Sequence, residues 1–300
     1  MVYLDKFILP IDYEESIIGQ KITLNGGYID NRYPCDIFSV KNFKEVDFSR
    51  ITIFYGGNGS GKTTLLNLIA NKLNIVRTSP YNSSELFDTY VNLCKVRMGY
   101  GDFGERLNIP NGSKIICSDD IFDYMLNIRE NNNDIAVNKE IAKEDCRQRK
   151  YASTVKLRSM ADYDDLRLQV IARKLSQRKF ASKFVGDELK LNSNGETAMR
   201  FFIMHLQDDK LYLLDEPENS LSPAKQIELA KYLEELAKYC GCQFVISTHS
   251  PFLLAIEGAK IYDLDAEYVD IKNWWELENT KTYFEFFDKY RGYFVDKWHN

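Results

Sequence analysis

The nine residues Gly56-Gly-Asn-Gly-Ser-Gly-Lys-Thr-Thr64 constrain this chain more than any other stretch. A short apolar run, Ile51-Thr-Ile-Phe-Tyr55, leads straight into them, and Leu65, Leu66, Leu68, Ile69 and Leu73 follow at helical spacing. The glycines let backbone N–H groups curl around an anion in φ regions that a Cβ would forbid. The helix beyond adds its dipole and its free N–H groups, which favour phosphate. Strand, glycine loop, helix is therefore a phosphate cradle that fits G-x-x-x-x-G-K-[ST] throughout. It predicts nucleotide contacts from Gly56, Asn58, Gly59, Ser60, Gly61, Lys62, Thr63 and Thr64. Lys62 reaches the outer phosphates and the Thr63 hydroxyl is placed to ligate Mg²⁺.

Two further apolar strands deliver polar residues at their ends. Lys210-Leu-Tyr-Leu-Leu-Asp-Glu216 closes on adjacent carboxylates. In a parallel sheet the ligand sits beyond the carboxyl ends of the strands. Asp215 is thus expected to hold Mg²⁺, and Glu216 to polarise the attacking water as general base. Phe244-Val-Ile-Ser-Thr-His249 emerges at the same edge, so His249 is expected to sense the γ-phosphate or orient the water. With Lys62, these are the expected catalytic residues; Thr63 and Asp215 are the expected metal ligands.

The set resembles the ABC-type ATPases, specifically their soluble branch of RecF-like, SMC-like and OLD-like proteins. Gly56–Thr63 matches Walker A, Leu211–Asp215 with Glu216 matches Walker B, and His249 matches the switch histidine. The string Asp215-Glu-Pro-Glu-Asn-Ser-Leu-Ser-Pro223 resembles stand-alone members more than transport subunits. Leu191-Asn-Ser-Asn-Gly-Glu196 stands where the family places its signature, with an ordinary helix capping box as the alternative reading. The resemblance implies that Ser193 and Gly195 bind the ATP of the opposite subunit in a head-to-tail dimer. It implies ATP and Mg²⁺ as cofactors, and hydrolysis of ATP to ADP and phosphate. Two departures stand out. Ser118-Asp-Asp120 occupies the usual Q-loop glutamine's place, with Gln169 as an alternative, and Ser222 replaces the D-loop aspartate. Tyr33 and Phe38 are candidates for stacking on adenine, or ordinary core aromatics.

The expected fold is α/β, a P-loop NTPase of ABC-ATPase type with an antiparallel β subdomain and an inserted helical lobe. The whole chain, 1–300, reads as one ATPase domain, with its core at 1–117 and 201–300 and the lobe at 118–200. The antiparallel expectation rests on alternation through residues 1–50, with a turn at Asn25–Gly27. Residues 75–117 read as mixed up to the strand Lys114–Cys117. Later elements are strands at Leu211–Leu214, Gln243–Ser247 and Lys260–Leu264, a helix near Pro223–Tyr239, and helical aromatics over Tyr283–Trp298.

Charge divides unevenly. Residues 138–190 carry 14 Lys/Arg against 8 Asp/Glu, the rest of the chain 25 against 36. The basic stretch reads either as solvated helices or as a nucleic-acid or partner surface. The six scattered cysteines suit reduced, mostly buried thiols. No apolar run approaches the ~20 residues that cross a bilayer, and the N-terminus lacks a signal-peptide layout. These features predict a cytoplasmic protein without direct membrane insertion. The expected role is a stand-alone ATPase that dimerises on ATP and switches a separately encoded effector. DNA maintenance or defence against phage and mobile elements is the expected setting, with nucleic acid an open partner. The alternative is the ATPase subunit of an ABC transporter.

Overall fold

The computed structural model describes residues 1–17, 31–153, 162–185 and 194–295. Those residues form two compact units, Met1–Ile121 with Asn194–Asn300, and Phe122–Ser193.

The first unit is built on a six-stranded sheet. Its strands are β3 (Ile51–Tyr55), β5 (Lys114–Cys117), β6 (Leu211–Asp215), β7 (Gln243–Ser247), β8 (Lys260–Asp263) and β9 (Asp270–Ile271). They lie in the order β5-β6-β7-β3-β8-β9, parallel from β5 to β8, with β9 antiparallel at the edge. Every residue of β3, β6 and β7 is buried, which suits continuous apolar runs inside a parallel sheet covered on both faces. Helix α1 (Lys62–Lys72) follows β3 and packs against β6 and β7, burying Leu65, Leu66, Leu68 and Ile69. Helices α6 (Asn194–His205) and α7 (Pro223–Tyr239) flank β6 in the chain and pack together.

A second sheet, of three antiparallel strands, joins β1 (Leu4–Ile8) to β2 (Glu45–Asp47) and β4 (Lys95–Met98). The alternation of the first fifty residues supplied two of its strands; the proposed turn at Asn25–Gly27 lies outside the described residues. The third, β4, comes from the stretch read as mixed, after helix α2 (Phe87–Leu93). Its four residues alternate Lys95 and Arg97 with Val96 and Met98, too short a run to separate from a charged loop.

One fully buried side chain bolts the two sheets together. Gln243 Oε1 accepts hydrogen bonds from the backbone N–H of Tyr3 (2.8 Å) and Leu4 (2.9 Å). Its Nε2 donates to the carbonyls of Leu4 (2.8 Å) and Ser49 (3.1 Å). A primary amide is the group that can do both from one position. A second buried polar anchor is Glu15, which accepts from the hydroxyls of Tyr90 (3.0 Å) and Ser39 (2.8 Å) and from Asp36 N–H (3.0 Å).

Helix α3 runs from Ser118 to Tyr151, and its residues from Phe122 onward belong to the second unit. That unit also holds α4 (Asp162–Lys174) and α5 (Gln177–Phe184), with Cys146, Ala172 and Phe180 at its centre. Some of its basic residues are paired: Lys143 with Glu140, Arg147 with Glu144, and Arg149 with Asp145 and Asp165. Lys156, Arg158 and Lys190 lie outside the described residues. Helix α8 (Pro251–Leu254) lies between β7 and β8, and beyond β9 come α9 (Glu278–Lys289) and α10 (Arg291–Val295). Trp298 lies outside the described residues.

Replacing Gln243 with leucine should strand two buried N–H groups and two carbonyls at the joint between the sheets. We expect a loss of about 3 kcal/mol in unfolding free energy, read from urea denaturation followed by circular dichroism.

Candidate nucleotide-binding site

The glycine loop lies between the carboxyl end of β3 and the N-terminus of α1, so the sheet aims it and the helix points its free N–H groups at it. Gly61 caps α1 with φ 102°, and Gly59 has φ 83°. A Cβ on Gly61 would also meet Ile37 Cγ2 at 2.9 Å, so both conformation and space require glycine there. Tyr33, Ile37, residues 57–64 and Glu216 line a cleft of about 320 Å³.

Lys62 is buried, and its Nζ donates to the loop carbonyls of Gly56 (2.7 Å) and Gly57 (3.0 Å). It also lies 3.5 Å from Glu216 Oε1. Thr63 Oγ1 donates to Asp215 Oδ1 at 3.0 Å, and Ser247 Oγ donates to the same oxygen. Burial pushes the Asp215 carboxyl above its usual range, against the pull of the bonds from Ser247 and Thr63 and the charge of Arg77. A hydroxyl and a carboxylate already in contact form an all-oxygen set, suited to a hard divalent cation.

Glu216 takes a left-handed backbone, φ 49° and ψ 55°, immediately after β6. For a residue with a side chain this costs about 1–2 kcal/mol. The turn is held by Glu216 N–H donating to Ser247 O (3.0 Å), and Asn219 Nδ2 donates to Glu216 Oε2 (3.1 Å). Its carboxylate thereby faces the glycine loop rather than continuing the strand's alternation. His249 Nδ1 lies 3.9 Å from Glu216 Oε1 and 3.7 Å from Glu218 Oε1. Lys62, Thr63, Asp215, Glu216 and His249, drawn from three separate stretches of sequence, thus meet at one sheet edge.

The loop's residues suit a nucleotide's phosphates on one further ground. Ser60 Oγ is buried and has no hydrogen-bond partner, an arrangement that an added acceptor would relieve. Lys62, Ser60 and the loop amides would hold the phosphates, with Thr63 and Asp215 holding Mg²⁺. Asn58, beside them, also lines the cleft.

Other expectations land elsewhere. Gly195 sits in the first turn of α6 beside Lys225 and does not line this cleft; Leu191, Asn192 and Ser193 lie outside the described residues. Phe38 is core, whereas Tyr33 lines the cleft and donates its hydroxyl to Thr64 Oγ1 (3.1 Å). Asp120 accepts from Ser79 Oγ (2.6 Å) and Cys117 N–H (2.8 Å), which ties it into the local turn. Gln169 donates to the carbonyls of Arg149, Ala152 and Ser153 inside the second unit. Unforeseen were Lys41, which donates to the carbonyls of Ser60 and Leu264, and Asp265, which accepts from Gly57 N–H at 2.7 Å. Both brace the loop across more than two hundred residues of chain or from a separate turn, and no local motif marks them.

The order of strands, the glycine loop and the acidic strand end define a P-loop NTPase of ABC-ATPase type. Residues 51–255 match the protein family described as "AAA domain, putative AbiEii toxin, Type IV TA system", and the chain belongs to that family of AAA-type P-loop ATPase domains. Among curated proteins, an uncharacterised ABC transporter ATP-binding protein/permease of Saccharomyces cerevisiae is 26% identical over 239 residues, covering 77% of this chain and 17% of its own length. ATP-binding cassette sub-family G member 5 of Mus musculus is 25% identical over 209 residues, covering 69% and 27%. The chain therefore spans less than a third of the length of these relatives. Among solved structures, the Smc head domain of Pyrococcus furiosus, bound to the C-terminal domain of ScpA, is 15% identical with a TM-score of 0.43, covering 97% of this chain and all of that one. The SMC head domain of Thermotoga maritima is 13% identical with a TM-score of 0.38, covering 90% and 98%. Among the described residues no helix is long and apolar enough to cross a membrane.

Asp215 carries a testable cost. Because its folded-state pKa is raised, the folded protein holds this proton more tightly than the unfolded chain does. Stability therefore falls as pH rises through that pKa, and at pH 7 the buried charge weakens the nucleotide-free fold. Asparagine keeps an oxygen for Thr63 and Ser247 and removes the charge. We expect Asp215→Asn to raise the thermal midpoint of the nucleotide-free protein at pH 7, and to lack the further rise expected of the parent on adding ATP with Mg²⁺.

Proposed function

We propose that the chain binds ATP with Mg²⁺ and hydrolyses it to ADP and phosphate. The observation that carries this reading is the convergence of Thr63, Asp215, Glu216 and His249 on the glycine loop. When bound, the cation neutralises charge that develops between the outer phosphates. Lys62 and the loop amides orient those phosphates, Glu216 accepts a proton from the attacking water, and His249 orients the water beside it. The chemistry is positioning and electrostatics, with no covalent role for the protein.

The site is completed by a second copy of the chain. Within one copy Gly195 does not line the cleft. In this reading Ser193 and Gly195 close over the nucleotide of the opposite copy. The dimer formed on ATP binding switches a separately encoded effector in DNA maintenance or in defence against phage and mobile elements. The family's printed description, which names a toxin and a toxin–antitoxin system, supports the defence setting; the pathway rests on that likeness.

A second reading, the ATPase subunit of a transporter, draws on the yeast relative, which is described as an ABC transporter ATP-binding protein/permease. It requires stable co-purification with a multi-span membrane protein.

Glu216→Gln should lower ATP turnover by at least about 100-fold while leaving ATP binding intact. Light scattering on that variant should show a dimer with ATP and a monomer without it, and Ser193→Trp should abolish the dimer. A variant that binds ATP and stays monomeric would end the two-copy reading.

A further inference from the structure

Strand β7 ends at Ser247, opposite Asp215 of β6, and the ladder between them stops there. Thr248 and His249 therefore leave the sheet with backbone donors that need other partners. Thr248 N–H donates to the Phe54 carbonyl of β3 at 3.1 Å. His249 N–H donates instead to a side chain, Glu218 Oε1, at 3.1 Å. The same oxygen accepts from Thr248 Oγ1, which in turn accepts from Ser250 N–H (3.0 Å). Ser250 Oγ donates to Gln226 Oε1 at 2.6 Å. Each residue on the way out of β7 is thus tethered, and Glu218 is what tethers His249.

The imidazole has no such anchor of its own. Its Nδ1 lies 3.9 Å from Glu216 Oε1 and 3.7 Å from Glu218 Oε1, both beyond hydrogen-bond reach, and the side chain is 42% exposed. The backbone of His249 therefore decides where the ring stands, and Glu218 Oε1 holds that backbone.

Glu218 itself is buried, in the single 3-10 turn Pro217–Ser220 that follows Glu216. Its other oxygen, Oε2, is enclosed and has no hydrogen-bond partner, although the residue borders a cavity of about 530 Å³ walled by Trp274, Tyr283, Phe284 and Phe287. Burial pushes this carboxyl above its usual range, with the bonds from Thr248 and His249 opposing. A buried carboxyl with one unpaired oxygen costs stability, and an apolar side chain would fill the space without that cost. What the glutamate adds is an acceptor for residues 248 and 249.

We propose that Glu218 is a positioning residue for ATP hydrolysis, its Oε1 setting the backbone of His249 so that the imidazole stands beside Glu216. It touches neither nucleotide nor water, and it supplies an acceptor at a fixed place rather than a charge. The role rests on the function proposed above for Glu216 and His249. One turn of chain then carries both the base and, two residues on, the brace for the histidine beside it.

Two substitutions separate reach from charge. Glu218→Asp keeps the charge and retracts the oxygen by one C–C bond, about 1.5 Å. Glu218→Gln keeps the oxygen in place and removes the charge. In steady-state ATPase assays on the full chain, Glu218→Asp should lower kcat at least about tenfold with KM for ATP within about threefold of the parent. Glu218→Gln should stay within about threefold of the parent in both. In a His249→Ala background, Glu218→Asp should cost less than about twofold, because the group it positions is gone. Thr248→Val cuts the other tether of the same oxygen and should slow turnover in the same way; it stands in if Glu218→Asp does not fold. Parental turnover in Glu218→Asp, or in Thr248→Val standing in for it, would overturn the proposal. So would Glu218→Gln as slow as Glu218→Asp, which would make the charge decisive, or an undiminished loss in the His249→Ala background, which would mark a general structural role. A parent without ATPase activity, or His249→Ala at parental speed, would remove the function proposed above and this role with it. A slow His249→Ala beside a fast Glu218→Asp would remove this role alone.

Discussion

A single buried oxygen, Asp215 Oδ1, accepts the hydroxyl protons of Thr63 and Ser247 and so ties α1, β6 and β7 together at the sheet edge. The rest of the site is set from that point. Because Ser247 also holds the backbone of Glu216 through its carbonyl, the same strand end that fixes the metal-ligand candidate turns the next carboxylate into the cleft. The left-handed backbone at Glu216 is affordable only because it is pinned in this way. The arrangement carries a burden in return, since burial opposes the charge Asp215 needs to hold a cation. Stability given up at an acidic strand end to keep a ligand site poised is a common exchange in binding proteins.

The chain's local order shows most of this in advance. A buried strand, a glycine loop and an amphipathic helix in sequence leave few folds open, and Gln243–Ser247 and Pro223–Tyr239 stand in the structure at the limits their patterns indicate. What the pattern hides is long-range. Gln243 reads as one polar residue opening an apolar strand, and nothing near it in sequence shows that it meets the backbone of Tyr3 and Leu4. Asp265 and Lys41 brace the glycine loop from distant turns. Tyr33 and Phe38 are alike as sequence, yet one lines the cleft and the other fills the core. The difference lies in the turn between them, not in their chemistry.

Glu218 belongs to the same hidden class. In sequence it is the second glutamate of an acidic string. In the fold it is buried, braces His249 with one oxygen, and leaves the other unpaired beside an aromatic cavity. Two acidic residues of one short turn, Glu216 and Glu218, thus line different clefts, the first beside the phosphate loop and the second beside the C-terminal helices. His249 sits within 4 Å of both, at 3.9 and 3.7 Å.

The central claim is that ATP is turned over at a site needing two copies of the chain, and its most direct measure is the specific ATPase rate as a function of protein concentration. With ATP and Mg²⁺ saturating, the rate per chain should rise steeply from nanomolar to micromolar protein and then level off as the dimer fills. A rate per chain that stays constant over the whole range, at concentrations where the protein is monomeric, would show that one copy suffices and would contradict the account.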